Sequence, residues 1–225
     1  MLDRLHKKTY DVFVKPFLKR YLKKERWFTY GKIKLKIYPG VFHPAYFFST
    51  KVFVDFIKTL DLQNKKVCEV GAGSGLLSFI AFSSGAKVIS FDINAVAVKG
   101  VEENFNRNFS ASGNFEIYLS DLFDAVPKSN FDVLLINPPY FFNYAKNERD
   151  FAWDCGGNGE YFEKLFKELS GYSNASSQIF MILADNCDLE RIKKLAKKYN
   201  YLLNLVIEKK VKWEKNFIFN ITKET

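Results

Sequence analysis

Asn137-Pro138-Pro139-Tyr140 brings hydrogen-bond acceptors, a rigid backbone and an aromatic ring into one short stretch. It follows Phe131-Asp-Val-Leu-Leu-Ile136, an apolar run that reads as a strand buried on both faces. Neither proline donates to a ladder and each fixes its own φ, so the strand must stop there. The residue before a proline is pushed away from helical backbone, which leaves Asn137 extended at the strand's carboxyl end. In an open α/β sheet, ligands bind at that end. The corner suits a planar group bearing an NH2. The Asn137 side-chain oxygen and the Pro138 carbonyl each accept one of its N–H bonds, while Tyr140 stacks on its face. Taken alone, a proline pair is equally well the punctuation of a stiff turn, so the choice depends on what precedes it.

What precedes it is a strand, Lys66-Val-Cys-Glu69-Val70, a turn, Gly71-Ala72-Gly73-Ser-Gly75, and an apolar helix from Leu76. Glycines there let the backbone approach a ligand at the helix amino terminus. A nicotinamide fingerprint would want glycine where this chain has Leu76, so the form preceded by Glu69 suits a ligand without a pyrophosphate. The next strand, Ala86 to Phe91, ends in Asp92, 21 positions after Gly71. An acid at that place can accept both ribose hydroxyls of a nucleoside; its plainer role would be to cap the helix that follows. Asp121, just past the strand Phe115 to Leu119, is placed to accept from an adenine amine, against a plain turn or cap role.

The elements that must position these groups alternate along the chain. Helices are expected over Phe48 to Leu60, with Ser49 or Thr50 as amino-terminal cap, Ala95 to Asn106, Glu160 to Leu169 and Leu189 to Tyr199. A strand is expected over Gln178 to Ala184, and Tyr201 to Val211 with Asn216 to Thr222 reads as a final strand pair connected through Trp213. Between Asn143 and Gly159 lies a polar, glycine-bearing loop too long to be a mere connector, hence a candidate substrate loop. The βα alternation ending in a strand pair predicts a parallel sheet finished by an antiparallel edge.

The 225 residues are 48% hydrophobic and 17% aromatic, enough for one core domain with an appendage. No apolar run reaches spanning length and the amino terminus is charged from Asp3, so neither a membrane helix nor a signal peptide is expected. Cys68, Cys155 and Cys187 show no pairing pattern and the histidines are only His6 and His43. A disulfide framework or metal site is not expected, and a reducing cytoplasm is. The net charge of +9 is concentrated: residues 1 to 38 carry 12 basic against 3 acidic side chains, and the rest carry 22 against 22. Within that arm, Tyr10, Phe13, Phe17 and Tyr21 recur at helical spacing up to Lys24, with Pro16 dividing two short helices. Lys32 to Ile37 then alternates as a half-exposed strand paired through the Tyr30-Gly31 turn. Such an arm serves either solubility alone or an anionic partner such as RNA or a ribosomal particle.

The glycine turn, Asp92, Asp121 and Asn-Pro-Pro-Tyr, in that order and spacing, resemble the class I S-adenosylmethionine-dependent methyltransferases over about residues 39 to 225. The resemblance implies a Rossmann-like α/β fold: a mainly parallel seven-stranded sheet with an antiparallel last strand, helices on both faces, and residues 1–38 as a small basic helix and hairpin extension. It further implies S-adenosyl-L-methionine held by Glu69, Gly71, Ala72, Gly73, Gly75, Asp92, Ile93, Asp121, Leu122 and Asn137, with Asn137, Pro138, Pro139 and Tyr140 serving the acceptor. The lead-in Pro39-Gly-Val-Phe-His-Pro44 and the loop Ala152-Trp153 to Gly156-x-Asn158-Gly159 resemble the branch that methylates the glutamine amide of release factors, the HemK/PrmC-like enzymes. Phe47 stands where that branch usually has an acid. Asn-Pro-Pro-Tyr also occurs in adenine-amine methyltransferases of DNA and RNA. Three readings follow: a protein amide-nitrogen methyltransferase, a nucleic-acid adenine methyltransferase, and a catalytically silent cofactor- or RNA-binding module.

Overall fold

The computed structural model describes residues 23–110, 113–146 and 148–224. The helices expected before Lys24 lie, but for Lys23 and Lys24, outside them. A hairpin of β1 (Arg26–Tyr30) and β2 (Ile33–Ile37) comes first, turning through Gly31 at φ +56°. The body is a seven-stranded sheet of β3 (Lys66–Val70), β4 (Lys87–Asp92), β5 (Phe115–Leu119), β6 (Val133–Ile136), β7 (Gln178–Ala184), β8 (Tyr201–Val211) and β9 (Glu214–Lys223). Its order is β5-β4-β3-β6-β7-β9-β8. Neighbours from β5 to β7 pair in parallel; β9 pairs antiparallel with both β7 and β8. The last strand is therefore slotted inside the sheet, and β8 forms the edge.

Alternation along the central strands sends side chains to both faces. Val133, Leu135, Phe180 and Ile182 join one apolar cluster, whereas Leu134, Ile136, Met181 and Leu183 join the other. The first cluster takes α1 (Phe48–Ile57), α2 (Leu76–Ser83) and α3 (Ala95–Asn108); the second takes α4 (Glu160–Glu168) and α5 (Leu189–Lys198). Among the described residues no helix is long and apolar enough to cross a membrane.

The β1-β2 hairpin packs on this body, with Ile33, Leu35 and Ile37 buried in the first cluster. Its outer backbone is met by two side chains on successive turns of α3. Asn104 accepts from Lys36 N at 2.8 Å and donates to Lys36 O at 2.9 Å; Asn108 does the same for Lys34 at 2.8 and 2.9 Å. Amides spaced i, i+4 thus stand in for a neighbouring strand and satisfy an edge that would otherwise lack partners. The expectation of a Ser49 or Thr50 cap on α1 is not met. Phe47 occupies the cap position without a side-chain bond, and both Ser49 and Thr50 are buried inside the first turn.

Candidate functional site

The carboxyl ends of β3, β4 and β6, and the turn after β5, open on one cavity of about 510 Å³. Its wall contains Glu69, Gly71, Ala72 and Gly73 after β3, Asp92 and Ile93 at β4, Asp121 and Leu122 beyond β5, and Asn137 to Tyr140 after β6. Of the residues expected there, Gly75 alone stands off the wall. It holds φ +79°, and a Cβ on it would lie 3.1 Å from Val101 Cγ2, so it allows α2 to pack against α3.

The glycine turn is fixed by the strands beside it. Gly71 and Ala72 both donate to the Phe91 carbonyl, at 3.1 and 2.8 Å, and Gly73 N donates to Asp92 Oδ2 at 2.8 Å. Asp92 Oδ1 accepts from Asn94 N at 2.8 Å, while Asn94, not Asp92, caps α3 by accepting from Val96 N at 2.9 Å. The capping role weighed for Asp92 thus falls to its neighbour, and the carboxylate keeps lone pairs for a ligand. Burial raises the Asp92 pKa, against backbone N–H groups of Asn94, Gly73 and Ile93 that favour the ion. Glu69 is buried more completely. It accepts from both the backbone N (2.8 Å) and the hydroxyl of Ser78, yet burial still pushes its carboxyl up to about 8. An added Cβ at Gly71 meets no protein atom within 4 Å, so the space over the turn is open to a ligand.

On the opposite wall the chain folds back on itself just past the prolines. Phe141 N donates to Trp153 O at 3.0 Å and Cys155 N to Phe141 O at 2.8 Å, which returns the long loop to the cavity. Trp153 then makes tilted ring contacts with Phe42 (5.2 Å) and Phe47 (4.7 Å), themselves 4.4 Å apart, and Phe42 and Trp153 line the wall. The loop ends at Gly159, φ +84°, where a Cβ would come within 2.7 Å of the Phe142 ring and 2.8 Å of Leu195. Burial raises the Tyr140 phenol and pushes the Cys155 thiol up to about 12, so both are neutral at physiological pH.

Between these walls, Asp121 and Asp124 share Lys164 at 2.8 and 2.7 Å, and the same ammonium donates to the Asp121 carbonyl at 3.0 Å. Leu122 follows in the left-handed region at φ +50°, a conformation a leucine holds only where its surroundings impose it. Two cavity-lining hydroxyls, Thr50 Oγ1 and Tyr161 Oη, are buried without a hydrogen-bond partner. Neither was anticipated as a site residue: Thr50 reads as a helix cap, and Tyr161 falls within the helix expected over Glu160 to Leu169.

A parallel α/β sheet whose last strand enters antiparallel, with a glycine turn and an acid at adjacent strand ends, has the architecture of a class I methyltransferase, and the cavity residues fit its cofactor. The chain matches the Methyltransferase small domain family over residues 32–154. It is 33% identical over 196 residues to a Methanocaldococcus jannaschii protein provisionally named a protein N5-glutamine methyltransferase, covering 84% of this chain and 94% of that one. Among solved structures, a methyltransferase from Pyrococcus furiosus superposes with a TM-score of 0.59 at 20% identity, covering 83% of this chain and 88% of the other. Another, complexed with SAH, superposes with a TM-score of 0.63 at 16% identity over 88% of this chain and 56% of its own. The protein belongs to the methyltransferase small domain family, and it is an S-adenosyl-L-methionine-dependent methyltransferase.

Proposed function

We propose that the enzyme methylates a planar amide nitrogen, the side chain of a glutamine in a protein substrate. The observation that carries this reading is the convergence of the Asn137-Pro138-Pro139-Tyr140 corner and the Trp153–Cys155 return segment on the cavity that the glycine turn also lines. The name of the Methanocaldococcus jannaschii relative supports the choice of glutamine.

The bound cofactor supplies an electrophilic methyl on a sulfonium. The Glu69 to Gly73 turn, Asp92 with Ile93, and Asp121 with Leu122 hold it. Amide nitrogen is a weak nucleophile because its lone pair is delocalised, so the protein's task is alignment. The Asn137 side-chain oxygen and the Pro138 carbonyl accept the two N–H groups and meet the positive charge that develops on nitrogen. Tyr140 forms the stacking wall with an un-ionised phenol. A bound S-adenosyl-L-methionine would supply the methyl and keep the C–S electrons on its sulfur, while Asn137 and Pro138 would hold the nitrogen in line until its surplus proton is lost to water. Cys155, held as a thiol, does not compete for the methyl.

The second reading, an adenine amine in RNA or DNA, draws on the basic excess in residues 1 to 38. That arm equally serves to bring a protein substrate carried on a ribosomal particle. The deciding experiment methylates a cell extract with labelled cofactor and then treats it with protease or nuclease. Release of label by protease, with the mass gain on a glutamine side chain, supports the protein reading. Release by nuclease overturns it.

A further inference from the structure

We propose that Tyr161 is a cofactor-binding residue whose phenol donates a hydrogen bond to the nucleoside portion of S-adenosyl-L-methionine. The inference rests on the cofactor assignment and is independent of the acceptor. Tyr161 is the second residue of α4, just past the Gly159 turn; its backbone N donates to Cys155 O at 3.0 Å and its ring stands edge-on to Phe162 at 5.3 Å. The ring is thereby held, and it lines the cavity, yet the hydroxyl is enclosed with no protein partner. Buried hydroxyls almost always have one, so an enclosed orphan on a side chain that lines a ligand cavity points to a partner that arrives with the ligand.

The cavity lining and the chemistry of its groups indicate that partner. Asp92 at the end of β4 and Asp121 beyond β5, the groups read as the ribose and adenine acceptors, line the same cavity as Tyr161. Lys164, three residues on and so on the same face of α4, is occupied by Asp121 and Asp124. Ionised carboxylates only accept, whereas the ring nitrogens of the base and the ring oxygen of the sugar need donors. A phenol kept un-ionised by burial is such a donor.

The test is calorimetric titration of wild type and Tyr161→Phe with two ligands, S-adenosylmethionine and 5′-deoxy-5′-methylthioadenosine, which keeps the nucleoside and lacks the amino-acid tail. The expected result is a loss of roughly 5- to 100-fold in affinity for both ligands. The melting temperature of the unliganded variant should be unchanged or higher, because the change removes an unpartnered buried hydroxyl. Unchanged affinity for both, or a loss confined to S-adenosylmethionine, overturns the proposal. Wild-type protein that binds neither ligand overturns it together with the cofactor assignment. If the Phe variant melts lower, 3-fluorotyrosine at position 161 reads the contact by fluorine NMR: a resonance that shifts with methylthioadenosine supports it, and an unmoved one overturns it.

Discussion

The two walls of the cavity are built by different physics. On the wall proposed to hold the methyl donor, every acid already accepts from the fold: Glu69 from Ser78, Asp92 from Gly73 and Asn94, Asp121 from Lys164. Most of those donors are backbone N–H groups at strand ends and helix starts, so the carboxylates are aimed before any ligand arrives. The wall proposed to hold the acceptor is a proline corner and a returned loop held by ring contacts among Phe42, Phe47 and Trp153. Ring packing excludes water and shapes a slot, but it directs few hydrogen bonds. Donor affinity and turnover should therefore separate cleanly by mutation: changes on the first wall are expected to act through binding, and changes on the second on the transfer step.

The sharpest way to break this division is Asn137→Ala. Because the amide oxygen is assigned to the target N–H, its loss should remove turnover while leaving cofactor affinity within about twofold. Turnover by the folded variant above a few per cent of wild type, a barrier change below about 2 kcal/mol, would contradict the assignment.

Next in size is the pH response of Glu69. Burial pushes its folded pKa up to about 8, above the ordinary carboxyl value of 4.5, so between these values the folded chain keeps a proton that the unfolded chain has lost. Stability from this group is full below the unfolded pKa and falls as pH rises toward 8, by up to about 1.4 kcal/mol per pH unit. Asp92, also raised, acts in the same direction at its own pH. Comparing unliganded wild type with Glu69→Gln isolates the first contribution, and denaturant melts from pH 5 to 8 should show a flatter profile in the variant. A cationic ligand near Glu69 should favour its ion, so cofactor binding near neutral pH should release protons, measurable by titration in buffers of different ionisation enthalpy.

Asp92→Ala follows, with an expected loss of about 1 to 3 kcal/mol in cofactor affinity for a buried hydrogen-bonded partner. Calorimetry showing an unchanged affinity would remove Asp92 from the donor wall. Turnover at saturating cofactor should stay close to wild type, the reverse of the Asn137 outcome.

The donor wall was the more legible of the two in sequence, because its determinants are local. Strand β3, the positive-φ glycines and Asp92 sit within one βαβ unit, and spacing alone placed them on one wall. Strands β5 and β7 also matched residue for residue. What spacing could not reveal depends on contacts between distant segments. Phe42, Phe47 and Trp153 meet only because the loop folds back at Phe141. The hairpin's anchorage needs Asn104 and Asn108 some seventy positions away from their strand. That β9 lies inside the sheet follows from its pairing with β7, which no local pattern encodes. Asn94 displaced Asp92 as the helix cap because the acid was already engaged by the glycine turn.

The smallest effect, and the finest probe of the division, is Lys164→Gln. Lys164 holds its acids through an exposed ion pair: the Asp121 side chain is 53% exposed and that of Asp124 59%. Exposed pairs contribute little, so stability should change by less than about 1 kcal/mol. The sensitive readout is cofactor affinity. If Asp121 accepts the adenine amine, losing the ammonium frees its carboxylate to swing away but also leaves it more negative, and these effects oppose each other. The expected outcome is a two- to threefold weakening that shrinks further at high salt, where the ion pair is already screened. An unchanged affinity at low salt would mean that Asp121 is aimed by the backbone at Leu122 alone, making the donor wall wholly a product of main-chain geometry. A tenfold loss would place Lys164 itself against the ligand.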